Sequence, residues 1–247
     1  MLAVFCFGVF AQEQPQSSRL KAIYLRGKWG YADQTGKVVI APQFDAARPF
    51  NNGLAQVGVL DEKLPEINSR PNLKWGLIDE NGRVLLELRY TQIRPFTEGL
   101  AAVAVLDPDK LKAPKSRLEL FSNLQWGYID RQGRIAIPLQ FAGAGNFSEG
   151  LASVNVDSGS DSFCGRGHKA GYIDTTGKFV IQPQFASTAP FKNGRAEVSL
   201  GVVRYLGRCA CCAPKFFGKY GHIDKSGVFT LDPTRPDTSN EIHGWEN

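Results

Sequence analysis

Four cysteines in the body of this chain, Cys164, Cys209, Cys211 and Cys212, could do chemistry, and their spacing allows three kinds. Cys164 and His168 (C-x3-H) with Cys209 and Cys212 would give four ligands of the sort that structural zinc takes. Cys209 to Cys212 also contains C-x-x-C, which in a thioredoxin-like βαβ setting supports redox exchange, but no such setting is visible. In an oxidising compartment the same four close two disulfides. Cys164 then joins one member of the C-A-C-C group, as Cys164–Cys209 or Cys164–Cys211, and the other pair forms within the group. Structural cross-linking is the expectation, with no metal and no cofactor assigned.

Catalytic constellations are not apparent. The three histidines are His168, His222 and His243. His222 falls at a core aromatic position, and His243 lies near the C-terminus. The sequence has no G-x-S-x-G, no H-E-x-x-H and no glycine-rich phosphate loop before a helix. Asp61-Glu62, Glu98 and Glu149 read as solvated loop residues rather than a glycosidase dyad. The expectation is therefore a protein that is not an enzyme. Cations recur instead. Lys37, Arg83, Arg134 and Lys178 each follow a turn glycine, and Lys28, Lys74, Lys169 and Lys219 each precede an aromatic or glycine of a strand. Stacking would turn each set into a basic ladder, which serves solubility or holds an anionic ligand such as a glycan.

What must position these groups is a repeat. The stretch WGYADQTGKVVIAPQFDAARPFNNGLAQV (29–57) returns at 75–103, at 126–154 and at 170–198, and a partial copy begins at Tyr220 and runs to 233. The glycines Gly30, Gly76, Gly127, Gly171 and Gly221 head the copies, and a period in this range marks a repeat architecture.

The pattern W-G-[YL]-I-D-x-x-G-[KR]-x-[VL]-I-x-P-x-F, then P-F-x-x-G-L-A-x-V, resembles the WG repeat (WG beta-repeat) family. The resemblance covers residues 20–233. Ala170 and Tyr220 depart from it in place of Trp, His222 in place of Tyr or Leu, and Leu88 and Leu139 where Pro42 and Pro183 stand. The resemblance implies a mostly bacterial family of β-repeats serving interactions, without a shared catalytic activity.

Within a copy, Trp29 and Tyr31 alternate with Gly30 and Ala32, a period of two that predicts a strand. Asp33 to Gly36 predicts a turn, with Asp accepting backbone hydrogen bonds and Gly taking positive φ. A second strand is predicted over Lys37–Ile40, ended by Pro42. After a loop anchored by Phe44 and Phe50, Asn52-Gly53 turns into a third strand over Leu54–Val59. Small Ala residues beside Gly30 and its equivalents predict close approach between neighbouring sheets. Regular alternation makes Trp29, Trp75 and Trp126 core spacers rather than a sugar-stacking stripe.

Grouping each third strand with the next first and second predicts an all-β fold. About five tandem three-stranded antiparallel meanders stack in an open, solenoid-like array, with a closed five-bladed propeller-like ring as the alternative. Long inserts, Gly58–Lys74, Ala104–Gln125, Asn155–Lys169 and Ser199–Lys219, fall between third and first strands, and in repeat proteins such insertions often form the binding side.

A hydrophobic fraction of 43% and an aromatic fraction of 11% indicate a globular chain, and +5 is a mild net charge that does not favour nucleic acid. Leu2–Phe10 is too short to cross a bilayer but suits a signal peptide over residues 1–11, so stable membrane insertion is not expected. Residues 234–247 read as a flexible tail. The expected protein is a secreted or periplasmic scaffold whose inserts bind other proteins. The alternatives are a carbohydrate-binding module for anionic envelope or extracellular polysaccharide, and a propeller-type glycan-active enzyme.

Overall fold

The structure, a computed structural model, describes residues 19–61, 72–106, 123–162, 165–205, 214–235 and 237–238. These form strands and turns, and no helix among them is long and apolar enough to cross a membrane. The first sheet holds β1 (Lys21–Leu25), β2 (Lys28–Ala32) and β3 (Val38–Phe44). The second holds β4 (Ala46–Ala47), β5 (Leu54–Leu60), β6 (Leu73–Asp79) and β7 (Val84–Tyr90). The third holds β8 (Gln92–Ile93), β9 (Leu100–Leu106), β10 (Leu124–Asp130) and β11 (Ile135–Phe141). The fourth holds β12 (Gly143–Ala144), β13 (Ala152–Ser162), β14 (Gly165–Ile173) and β15 (Phe179–Phe185). The fifth holds β16 (Ser187–Thr188), β17 (Arg195–Tyr205), β18 (Pro214–Asp224) and β19 (Phe229–Leu231).

All pairings are antiparallel between chain neighbours, as the grouping of third with first and second strands predicts. The last four sheets carry a fourth strand of two residues that the sequence reading did not anticipate. Ala46–Ala47 and its equivalents lie in the loop after the second strand and pair with the third. One sequence repeat thus gives two strands to one sheet and two to the next. Neighbouring sheets are joined covalently through every repeat.

The second strand does not stop at Pro42. It continues to Phe44 through a bulge, because Trp29 pairs with Phe44 while Tyr31 pairs with Ile40. Residues 41–43 therefore arch over Gly30. A Cβ on Gly30 would stand 2.5 Å from the Ile40 carbonyl oxygen and 2.7 Å from the Pro42 nitrogen. The tightness that fixes this glycine thus lies within its own sheet, not between sheets as the sequence suggested. A proline fits the arch because a bulge leaves backbone groups out of the ladder.

The tyrosine after the glycine pins the loop that follows. Tyr31 donates to the carbonyl of Arg48 (2.7 Å), Tyr128 to that of Gly145 (2.9 Å) and Tyr172 to that of Ala189 (2.8 Å). Each ring also packs on the loop phenylalanine, with Tyr31–Phe50, Tyr128–Phe147 and Tyr172–Phe191 centroids at 4.7, 4.9 and 4.9 Å. The second copy has Leu77 instead. Its loop phenylalanine, Phe96, is correspondingly only half-buried and lies under Arg131.

Four apolar clusters lie between successive sheets. Tyr31, Ile40 and Phe44 of the first sheet meet Ala55, Val57 and Ile78 of the second, and the pattern repeats along the array. Each fully buried tyrosine or isoleucine contributes about 1.5–3 kcal/mol by removal from water. Among the described residues no cluster joins the fifth sheet to the first. The array is open.

Candidate functional site

Strand register sorts the connections to two ends. In the second sheet Leu54 pairs with Asp79 at one end and Leu60 with Leu73 at the other. The D-x-x-G and N-G-type turns share the first end. The inserts leave from the second.

At the turn end each aspartate is engaged in its own turn. Asp174 Oδ1 accepts from the backbone N–H of Thr176 (2.9 Å), the Thr176 hydroxyl (2.6 Å) and the backbone N–H of Lys178 (3.1 Å). Asp33 and Asp224 repeat the arrangement. The threonine hydroxyl foremost, with the backbone amides and the nearby Lys178 charge, holds the Asp174 carboxyl below its ordinary value. Depressed folded-state values mean that this stabilisation is complete above the unfolded carboxylate value near 3.8 and is lost as pH falls through the folded value. The urea midpoint should hold level down to about pH 4 and then drop with acid. Asp174→Asn keeps the acceptor but cannot titrate, so its acid slope should be shallower. A slope equal to wild type would show that the Asp174 charge is not engaged.

The anionic-ligand ladder proposed from sequence, Lys37, Arg83, Arg134 and Lys178, is exposed at this same end. Arg134 is drawn back onto Asp130, with Nε to Oδ2 at 2.7 Å.

The second type of turn reveals residues that sequence reasoning missed. Asn52-Gly53, Glu98-Gly99, Glu149-Gly150 and Asn193-Gly194 all have positive φ at both positions, the two-residue hairpin turn whose twist matches the strands. Glutamate is unusual there. Glu98 and Glu149 are not merely solvated loop residues. The Glu98 carboxylate accepts the Gly150 N–H (2.9 Å), and Glu149 accepts the Gly194 N–H (2.9 Å). Each of these two glutamate turns thus caps the turn of the next repeat, and Lys225 pairs with Glu149 at 3.3 Å. The available signal was the recurrence of an acceptor side chain immediately before each turn glycine.

At the insert end the second cation set is largely neutralised. Lys28 meets Asp45 at 2.6 Å, Lys74 meets Asp61 at 2.9 Å and Lys219 meets Asp237 at 3.5 Å. Two of the three repeat tryptophans are covered by an arginine rather than offered to a sugar, Arg48 lying over Trp75 (4.8 Å) and Arg94 over Trp126 (5.0 Å), while Trp29 has Tyr24 against it (5.1 Å). Where the fourth copy loses the tryptophan, at Ala170, the matching arginine position is Gly145. Tyr220 receives Arg235 from the C-terminal segment instead (4.9 Å). The first part of that segment is held against β18, with Thr238 N–H donating to the Gly218 carbonyl (3.1 Å).

The fourth and fifth hairpins extend furthest, pairing out to Ser162 with Gly165 and to Tyr205 with Pro214. They belong to neighbouring sheets. Cys164, Cys209, Cys211 and Cys212 lie outside the described residues, as do residues 1–11. His168 pairs in register with Asp157, and its Nδ1 is buried without a hydrogen-bond partner.

Glycines under a bulge in the first four copies, an Asp turn after every one of the five and a tyrosine-pinned loop in three carry the repeat signature through the structure. The sequence model described as WG containing repeat matches residues 29–62, 75–105, 126–158 and 171–201, just over half of the chain. The chain belongs to the WG repeat family. The copy at Tyr220 lies outside the matched segments; there His222 stands where the matched WG repeats have Tyr31, Leu77, Tyr128 and Tyr172, and Arg235 where they have Phe44, Tyr90, Phe141 and Phe185. No curated protein matches the chain, and no solved structure matches it.

The shortest connection at the insert end shows what this WG repeat fold requires. In the first sheet Leu25 and Lys28 are joined by Arg26-Gly27 alone, a two-residue turn with φ of 52° and 83°. The equivalent pairs are Val59 with Lys74, Val105 with Gln125, Val156 with Lys169 and Leu200 with Lys219. Between them stand residues 60–73, 106–124, 157–168 and 201–218. Two residues close the hairpin; the rest of each insert is surplus to the fold.

Proposed function

We propose that this WG repeat protein is an exported, non-enzymatic scaffold that binds other proteins through its inserts. The observation carrying the proposal is the Arg26-Gly27 turn. A connection that two residues can make is extended at four of five positions, and all four extensions emerge at one end of a rigid array. Loops that exceed what a scaffold requires are where recognition concentrates. Lys28, Lys74 and Lys219 at the insert mouths already face carboxylates, which leaves these cations less available to a polyanion. Export is supported by the apolar run at Leu2–Phe10 and by the clustered cysteines.

The test replaces residues 60–73, 106–124, 157–168 or 201–218 by Arg-Gly, singly and together, in register with the first sheet. Each variant should keep the far-ultraviolet β signal of the parent. In pull-downs from envelope and culture extract, the parent should retain one or two stoichiometric proteins through high salt. At least one trimmed variant should lose them. Retention of the same proteins by the fourfold-trimmed chain would refute the proposal. Capture of polysaccharide alone, released by modest salt, would move the function to the Lys37, Arg83, Arg134 and Lys178 ladder.

A further inference from the structure

The first sheet lacks a strand that each of the other four holds. In the second sheet the loop of the preceding repeat covers the outer edge of β5, where Asp45 and Arg48 donate their N–H groups to the carbonyls of Gly58 and Gln56 (2.9 Å each). Thr91 and Arg94 do the same for Ala104 and Ala102 (2.8 Å each), and Ala142 and Gly145 for Asn155 and Ser153 (2.8 and 2.7 Å). In the fifth sheet Ala186 and Ala189 donate to Ser199 and Glu197 (2.8 and 2.9 Å). Among the described residues β1 has no such neighbour, and its sheet is β1-β2-β3. Tyr24 and Ala22 stand where Gly58 and Gln56 do, because Leu25 pairs with Lys28 as Val59 pairs with Lys74. Alternate residues of a strand aim their backbone groups at the same edge, so the N–H and C=O of Ala22 and Tyr24 face outward with no strand against them. The Tyr24 ring already lies on Trp29 (5.1 Å), as Arg48 of the covering loop lies on Trp75. What β1 lacks is backbone. The same edge is also basic. Arg19, Lys21 and Arg26 are exposed and, among the described residues, have no carboxylate in ion-pair reach, in contrast to Lys28, Lys74 and Lys219.

We propose that β1 accepts an extended, acidic segment of a partner protein as its fourth strand, antiparallel to it and hydrogen-bonded to Ala22 and Tyr24. In strand addition of this kind the main-chain bonds give affinity and alternate side chains give specificity. The second sheet sets the register: the residue opposite Ile23 takes the place of Ala47, which pairs with Val57. Every second residue of the segment then lies on the face of Lys21, Ile23 and Leu25, so carboxylates there meet Lys21 directly and approach Arg19 and Arg26 at the two ends. A second copy of β1 is the poorer occupant. It would bring Arg19, Lys21 and Arg26 against three more cations, and like charges across a strand pair are destabilising. The opposite edges of the first four sheets are poorer sites too, since the bulge at residues 41–43 and its equivalents interrupts them. The β1 edge does not include the inserts, so a chain with all four trimmed should still take the segment.

The probe is a fluorescein-labelled hexapeptide of alternating glutamate and valine, with an alternating lysine and valine hexapeptide as control. Each is titrated at low salt with the full chain up to about 1 mM, and anisotropy reads the binding. The glutamate peptide should bind at least about tenfold more tightly than the lysine peptide, and added salt should weaken it. Lys21→Glu combined with Arg26→Glu should reverse the order of the two peptides. Both positions are exposed, and glutamate already takes a φ like that of Arg26 at Glu98 and Glu149, so the turn tolerates it. Ala22→Pro removes an outward N–H at a sheet edge, where proline is tolerated, and should abolish binding with every charge intact. Should that variant lose its far-ultraviolet β signal, hydrogen exchange of the wild type replaces it: the Ala22 and Tyr24 amides should slow when the glutamate peptide is added. No binding of the glutamate peptide by about 1 mM overturns the proposal. So do equal binding of both peptides, an order unchanged by the charge reversal, and amides at Ala22 and Tyr24 that the peptide leaves unprotected. A chain whose mass rises with concentration in the absence of peptide, and no longer does so as Ala22→Pro, would give the edge to a second copy and overturn it as well.

Discussion

Replacing Gly127 with alanine should destabilise the protein by about 3 kcal/mol or more, a large single-residue effect in this fold. The glycine is not needed for positive φ, since its backbone lies outside the left-handed region. It is needed because the next strand bulges across it. An added Cβ would stand 2.6 Å from the Ile137 carbonyl oxygen and 2.8 Å from the carbonyl carbon and oxygen of Pro138. These are backbone atoms fixed by the pairing of Trp126 with Phe141 and Tyr128 with Ile137, so no side chain can turn aside to relieve the clash. The ladder must open instead. Gly36→Ala is the control: its φ of 88° makes a side chain strained, yet the space around it is empty. It should cost about 1 kcal/mol, the usual penalty for the left-handed conformation. Urea denaturation of both variants decides the matter, and a Gly127 variant no less stable than the Gly36 variant would remove the steric account of the motif.

Tyr172→Ala should cost about 4 kcal/mol and Tyr172→Phe about 1–2 kcal/mol. The side chain is fully buried between the fourth and fifth sheets, with Phe191 at 4.9 Å and Phe185 at 6.5 Å. Alanine leaves a cavity that two rigid sheets cannot close. Phenylalanine fills the space but strands the Ala189 carbonyl, which the tyrosine hydroxyl reaches at 2.8 Å. Thermal and urea unfolding of the pair separate packing from the hydrogen bond. Equal losses would mean that the hydroxyl, not the ring, dominates. The natural variation within the chain points the same way as the prediction: where Leu77 replaces the tyrosine, Phe96 loses its aromatic partner and is only half-buried.

Much of the architecture is legible before any coordinates. The alternation of Trp29 and Tyr31 with Gly30 and Ala32, the Asp33–Gly36 turn and the β-branched second strand are local features, and backbone sterics make them nearly independent of context. Recurrence at Gly76, Gly127, Gly171 and Gly221 then forces a stack, because no single meander can bury apolar residues on both of its faces. The insert boundaries are equally local, being the stretches that fall out of register with the repeat.

Other features depend on distances that a linear pattern does not contain. The bulge over Gly30 needs the pairing of Trp29 with Phe44, fifteen positions away in the chain, which periodicity cannot register. The fourth strand is two residues long, below the length at which alternation is readable. The capping of Gly150 by Glu98 spans 52 positions and exists only because successive turns stack. Charge shows the same division. Composition reveals that cations recur; only the fold shows that Lys28, Lys74 and Lys219 have carboxylates against them, while Lys37, Arg83 and Lys178 stand exposed at the opposite end from the inserts.

By itself, then, the sequence determined that this is an all-β run of WG repeats, because strand, turn and repeat are encoded within a few residues of one another. That the run is open and not closed into a ring came from the structure. Which end carries the surplus loops, which cations are neutralised and which faces are left uncovered were decided by the tertiary structure. Those properties belong to surfaces assembled from residues tens of positions apart, and only packing brings such residues together.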